Sequence, residues 1–173
     1  NKEENEEGFI KELESKYPLW MSNIESFSDA LDMIEALGEL TGKIKEAEGL
    51  VVDILSEFEQ FDQPKEKTDA VYLIWQNPYM AAGQVTFINE MMEMAGFNNL
   101  VKESRYPELK LEDIKALKPQ TVLLSSEPYP FGEKHMRELK QEIPNTEIKL
   151  VDGEMFSWYG SRLLKAPGYF RSL

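Results

Sequence analysis

The chain has no cysteine and a single histidine. Without thiols there is no disulfide framework, no thiolate metal site and no cysteine nucleophile. The one histidine, His135, lies in the charged helical run Glu133-Lys134-His135-Met136-Arg137, a context that predicts a solvated surface residue rather than a base or a ligand. Positive charge is scarce as well: 19 Lys and Arg stand against 32 Asp and Glu, a net charge of −13. Nucleic-acid binding needs clustered cations to neutralise phosphates, and this composition does not supply them. No apolar run approaches the length that spans a bilayer. Gly-rich phosphate loops of the GxGxxG or GxxxxGK type are missing too, and in Ala81-Ala82-Gly83-Gln84 the only glycine is Gly83.

What the chain does have is apolar and aromatic content, 42% and 11% of 173 residues, enough for a packed domain with additional elements. It is organised around the run from Ser26 to Phe61. There Ala30, Met33, Leu37, Leu40, Ile44, Ala47, Val51, Ile54, Phe58 and Phe61 recur at steps of three or four, a helical period. Ser26 with Asp29 three residues on reads as a capping box, and Asp62-Gln63-Pro64 closes the far end. Gly42 sits where a helix cap places a left-handed residue, so the run divides into helices over 27–41 and 43–61. The second, at 1.5 Å per residue, would be a strut of about 28 Å. The same stripe keeps a seven-residue repeat, which leaves a coiled coil open, although Gly38, Gly42 and Gly49 are poor helix formers.

Ahead of this run, residues 3–16 read as an amphipathic helix burying Phe9, Ile10 and Leu13. Leu19-Trp20-Met21 reads as a strand with Trp20 in the core. The chain opens on Asn1 in an acidic run, as a mature or fragmentary chain would. After it, residues 63–69 form a charged, proline-containing linker. From Ala70 strands and helices alternate: strands over 70–75, 121–125 and 147–151, helices over 86–96, 111–117, 133–142 and 156–170. That alternation predicts an α/β lobe over 70–173 built on a parallel sheet with helices on both faces.

Ligands of such sheets sit beyond the carboxyl ends of the strands. The rule selects the loops 76–80, 126–131 and 152–159. With Trp75 they carry Tyr79, Tyr129, Phe131, Phe156, Trp158 and Tyr159 where solvated turns are ordinarily polar. Phe131 and Phe156 could equally cap the sheet. Arg105, beside Tyr106, suits a carboxylate, phosphate or amide-rich ligand through its forked donors, or is a plain surface arginine. Glu127 and Glu154, on two of the loops, are the one pair able to act as acid and base.

Taken in order, Tyr72 to Met80 (YLIWQNPYM), Thr86-Phe87-Ile88 with Ala95 to Asn99, Leu123 to Phe131 (LLSSEPYPF) and Gly153 to Leu163 (GEMFSWYGSRL) resemble the C-terminal lobe of helical-backbone metal-chelate receptors. These are the substrate-binding proteins of ABC importers for vitamin B12, haem and iron-siderophores. The resemblance implies a class III periplasmic-binding-protein fold: two lobes joined by a rigid helix, here over 43–61, with the ligand between them. Residues 1–25 would then be the tail of an N-terminal lobe whose remainder lies outside this sequence, 26–62 the helical section, and 70–173 the ligand-binding lobe. By the same resemblance the ligand-facing residues are Trp75, Asn77, Pro78, Tyr79, Met80, Arg105, Tyr106, Met155, Phe156 and Trp158, and Glu127 or Glu133 docks on the permease. A haem would draw an axial ligand from Tyr79 or Tyr159, whereas cobalamin needs none and is slightly favoured. The implied protein is not an enzyme, holds no cofactor of its own, and works in the periplasm or on a lipid anchor at the outer face of the cytoplasmic membrane. Two other classes stay open: a small α/β enzyme using Glu127 and Glu154, and a helix-mediated interaction module.

Overall fold

A computed structural model describes residues 1, 2 and 5–173. The first helix, α1, spans Glu7–Glu14; the expected start at residue 3 falls on residues 3 and 4, outside the described ones. Of its apolar residues only Ile10 is buried, and Phe9 faces solvent. Residues 19–21 form no strand, and Trp20 is 45% exposed rather than in the core. Among the described residues nothing pairs with this segment as a strand, so its short apolar run has no ladder to join.

Two helices follow as the glycine signal predicts: α2 (Phe27–Thr41) and α3 (Ile44–Glu59). Ser26 Oγ accepts from the Asp29 N–H while Asp29 accepts from the Ser26 N–H, a reciprocal capping box. Gly42 ends α2 at φ 71°, the left-handed region that favours glycine. Most of the expected stripe is inside: Ala30, Ala47, Val51, Ile54 and Phe61 are buried and Met33 and Phe58 pack against the core, but the stretch across the turn departs from it. Leu37, Leu40 and Ile44 are exposed; Ala30, Ile34 and Gly38 of α2 face inward, with Ala47, Val51 and Ile54 of α3. The cause is a close crossing of small residues, since a Cβ on Gly38 would lie 2.5 Å from that of Ala47. The reversal at Gly42 gives each helix its own phase, so one continuous period through both cannot hold.

The sheet comprises β1 (Thr68–Trp75), β2 (Tyr79–Ala81), β3 (Phe97–Asn99), β4 (Glu108–Leu109), β5 (Thr121–Ser125) and β6 (Glu147–Val151). β1, β5 and β6 are parallel neighbours, with Ala70 opposite Thr121 and Ser125 opposite Val151, and β3 pairs in parallel with the first half of β1. To this expected parallel core the fold adds an antiparallel edge: β2 folds back on the end of β1, and β4 pairs with β2. Helices cover both faces. Tyr72, Leu123 and Val151 point into one core with α2, α3 and α4 (Phe87–Met94); Val71, Leu73, Val122, Leu124 and Ile148 point into the other with α5 (Leu111–Leu117) and α6 (Glu133–Glu142). Strands buried on both faces need to be apolar throughout, which is why TVLLS and VYLI show no polar alternation.

The chain leaving α3 packs before and within the expected linker. Phe61 is buried against Phe170, with ring centroids 6.1 Å apart, and Pro64 covers Gly96. The single closing helix expected over 156–170 is instead three short pieces, α7 (Glu154–Ser157), a 3₁₀ turn (Ser161–Leu164) and α8 (Ala166–Phe170). Gly160 at φ 96° breaks the helix, and Pro167 is placed in a first turn, where its missing N–H costs nothing.

Candidate functional site

The carboxyl ends of β1, β5 and β6 open on a cleft of about 530 Å³, within the range of small-molecule sites. Its floor is apolar. β1 contributes Ile74, and the start of α4 contributes Phe87 and Ile88, placed there because Thr86 Oγ1 caps the helix by accepting from the Asn89 N–H at 3.1 Å. Tyr159 stands edge-on to Phe87, centroids 5.4 Å apart, and Tyr106 and Pro128 complete the walls. Tyr106 reaches the cleft because the chain before it is laced to the loop preceding α4: the Gly83 N–H donates to Arg105 O at 2.7 Å, and the Arg105 N–H to Gln84 O at 2.8 Å.

At the mouth stand Glu127 and Trp158. Glu127 Oε1 accepts from Trp158 Nε1 at 2.6 Å and lies 2.9 Å from Ser157 Oγ. The Arg162 guanidinium lies over the Trp158 ring, 5.5 Å from its centroid, and is itself ion-paired with Glu154. Trp158 is thus 49% exposed yet held at its edge and on its face. The Glu127 loop is anchored from beneath. The fully buried Tyr72 hydroxyl donates to Ser125 Oγ at 3.1 Å, and Ser125 Oγ donates to Glu127 O at 2.6 Å. Burial pushes the Tyr72 phenol well above its ordinary range, against the opposing effect of the Ser125 hydrogen bond. Gly153 permits β5 and β6 loops to approach, for a Cβ there would lie 2.4 Å from Ser125 Oγ and 2.6 Å from Glu127 Cγ.

Of the ten ligand-facing residues expected, the cleft gathers Tyr106 and Trp158. Trp75 packs edge-on against Tyr129, and Tyr79 joins the core on the opposite face of the sheet. Asn77 and Pro78 form the turn between β1 and β2, where Asn77 has φ 66°, and Met80 lies in β2, half-buried. Met155 and Phe156 are buried, with the Phe156 ring 5.1 Å from those of Tyr72 and Phe170. Phe131 likewise caps the sheet from within the other core. Arg105 is turned to Glu25, Nη1 to Oε1 3.5 Å. Glu127, expected on the permease surface, belongs to the cleft, whereas Glu133 is an exposed surface carboxylate beside Arg137.

His135 departs from the solvated residue expected. It is half-buried, its Nδ1 accepts from the Gly132 N–H at 3.0 Å, and its ring meets Tyr129 and Phe131 edge-on. At the third position of α6 an acceptor can satisfy an otherwise orphan N–H, and the aromatic loop supplies the packing. The acid and base pair finds no common cleft: Glu154 is engaged by Arg162, and Glu127 by Ser157 and Trp158.

A model of the periplasmic binding protein family matches residues 2–148. The chain belongs to that family. Its members are binding proteins rather than enzymes, and this periplasmic binding protein shares their fold with several solved structures. The periplasmic haem-binding protein HutB of Vibrio cholerae superposes with a TM-score of 0.77 at 14% identity, covering 97% of this chain and 72% of its own. An ABC transporter substrate-binding protein from Listeria monocytogenes gives 0.74 at 17% identity, over 96% and 73%. The vitamin B12-binding protein BtuF of Vibrio cholerae gives 0.67 at 14% identity, over 95% and 68%. At these identities the likeness is one of fold. No helix among the described residues is long and apolar enough to cross a membrane.

Proposed function

We propose that this periplasmic binding protein captures a metal chelate, cobalamin ahead of haem or a ferric siderophore, and delivers it to an ABC permease. One observation carries the reading: Trp158 is a large aromatic surface, exposed at the mouth of an apolar cleft and immobilised by Glu127 and Arg162. A fixed ring can stack on a broad rigid chelate without losing rotamer freedom on binding. The resemblance in sequence, the family match and the solved relatives with haem and vitamin B12 in their names support the same class. In this reading α3 is the backbone between lobes, Glu133 is a docking carboxylate for the permease, and the protein works at the outer face of the cytoplasmic membrane, free or lipid-anchored.

Cobalamin is favoured because it needs no ligand from the protein and its corrin face suits the Trp158 platform. Tyr159 supports haem as the second reading, since it lines the cleft and phenolate oxygen is a haem ligand, its hydroxyl being held by Asn1 Nδ2 in this structure. Tyr79, the other candidate, faces the opposite core. Tryptophan fluorescence titrated with cyanocobalamin, haemin and ferric enterobactin, corrected for inner-filter absorption with free tryptophan, separates the readings. Saturable quenching by cyanocobalamin is expected; saturation by haemin alone, with a tyrosinate-ligated absorption spectrum, establishes haem instead. No saturable quenching by any of the three refutes chelate capture.

A further inference from the structure

Resting on that reading, we infer that Glu127 makes the cleft a charge filter, accepting neutral or cationic chelates and rejecting polyanionic ones. Among the described residues that line the cleft, Glu127 is the charged side chain. Its position is built, not incidental: Trp158 Nε1 and Ser157 Oγ hold the Oε1 atom, and the tether from Tyr72 through Ser125 holds the loop. A stacked chelate on Trp158 therefore lies against a fixed carboxylate.

The neighbouring cations do not offset it. Arg162, over the Trp158 ring, is ion-paired with Glu154, and Arg105, next to Tyr106, is ion-paired with Glu25. Each arginine thus comes with its own carboxylate, and the local balance is set by Glu127. The chain's net charge of −13 adds a repulsive field of the same sign at longer range.

Two like unit charges about 4 Å apart, at an effective dielectric constant of about 20, lose about three powers of ten in affinity, and salt and solvent reduce this to one or two. Ferric catecholates carry three negative charges at the metal centre, so they meet the full penalty. Cobalamin is uncharged as its cyano form, and a ferric trihydroxamate with a free amine is cationic.

Isothermal titration of the wild-type protein and Glu127→Gln with cyanocobalamin, ferrioxamine B and ferric enterobactin tests this. Glutamine keeps the acceptor for Trp158 and removes only the charge, and an unchanged thermal midpoint and circular dichroism spectrum check the fold. The wild type is expected to bind cyanocobalamin or ferrioxamine B at least about 100-fold more tightly than ferric enterobactin. In Glu127→Gln that ratio should fall about tenfold or more, through tighter binding of the catecholate. For the wild type, moving from about 50 to about 500 mM salt should also shrink the ratio. Ferric enterobactin binding the wild type as tightly as the other two overturns the filter but leaves chelate capture standing. A ratio unchanged by Glu127→Gln removes Glu127 as its cause. Binding of none of the three refutes chelate capture, and the filter with it.

Discussion

The same substitution, glycine to alanine, should act with opposite signs at Gly153 and Gly49. At Gly153 the backbone is right-handed, φ −60° and ψ −33°, so a side chain meets no conformational strain there. The obstacle is space. The added Cβ would lie 2.4 Å from Ser125 Oγ, 2.6 Å from Glu127 Cγ and 3.3 Å from the Glu127 backbone nitrogen. Ser125 cannot give way freely, since Tyr72 and Glu127 O both hold its hydroxyl, so the loops after β5 and β6 must part. Overpacking of this kind costs about 1–3 kcal/mol. For a chain of this size each kcal/mol moves the melting midpoint by about 2–4 °C, so Gly153→Ala should melt about 2–12 °C lower. It should also weaken chelate binding, because the displaced residue is Glu127, which positions Trp158. At Gly49, inside α3, nothing lies within 4 Å of the added methyl, and alanine in a helix interior gains up to about 1 kcal/mol over glycine. Gly49→Ala should therefore melt a few degrees higher with unchanged affinity. Differential scanning calorimetry and a binding titration on both variants decide it. A Gly153→Ala protein with wild-type midpoint and affinity would refute the crowding at the cleft.

Trp158→Ala should weaken binding of the captured chelate by about 1–3 kcal/mol, the usual loss for an aromatic anchor, while Trp75→Ala, edge-on to Tyr129 outside the cleft, should leave the affinity within about twofold. Equal losses in both titrations would place the ligand elsewhere. Tyr72→Phe removes the donor to Ser125 and should cost about 0.5–1.5 kcal/mol at neutral pH. Its pH profile should differ as well. Burial holds the Tyr72 and Tyr169 phenols above the value of about 10 at which unfolded tyrosine ionises, so protons are retained in the fold that the unfolded chain has lost, and stability falls as pH rises past about 10. Denaturant unfolding between about pH 9 and about pH 12 should show a shallower decline in Tyr72→Phe, and parallel declines would remove Tyr72 from the account.

The elements most legible in the sequence were those fixed by local chemistry. Ser26 with Asp29, the glycine at position 42 and the apolar runs at 70–75 and 121–125 each specify a cap, a break or a buried strand without reference to distant residues. What failed depended on partners. The strand over 19–21 needed a ladder, and the part of the helical stripe at Leu37, Leu40 and Ile44 needed the roll of α2 on α3, which a methyl-sized gap at Gly38 decides. The antiparallel edge was hidden because β2 and β4 are three and two residues long, too short for any period to register.

At the site the decisive term was parity along one strand. Successive side chains of a strand point to opposite faces, so Tyr72 and Ile74 share one face of β1 and Leu73 takes the other, while Trp75, beyond the register irregularity after Leu73, packs on Tyr129 of that second core. The cleft lies on the face of Tyr72, and it therefore takes Ile74 and leaves Trp75 to pack with Tyr129. The aromatic loops were selected by their place at the strand ends, their composition and the family resemblance, none of which says which face a ring serves. Parity was readable within the run Ala70–Ile74: Tyr72 is its one polar-tipped residue, and its hydroxyl needs a buried partner, which it finds in Ser125. From Ser125 the polar contacts lead to the Glu127 backbone, and from its carboxylate to Trp158. A core tyrosine thereby fixes the placement of the exposed tryptophan, and the ring meant for a ligand is ordered before any ligand arrives.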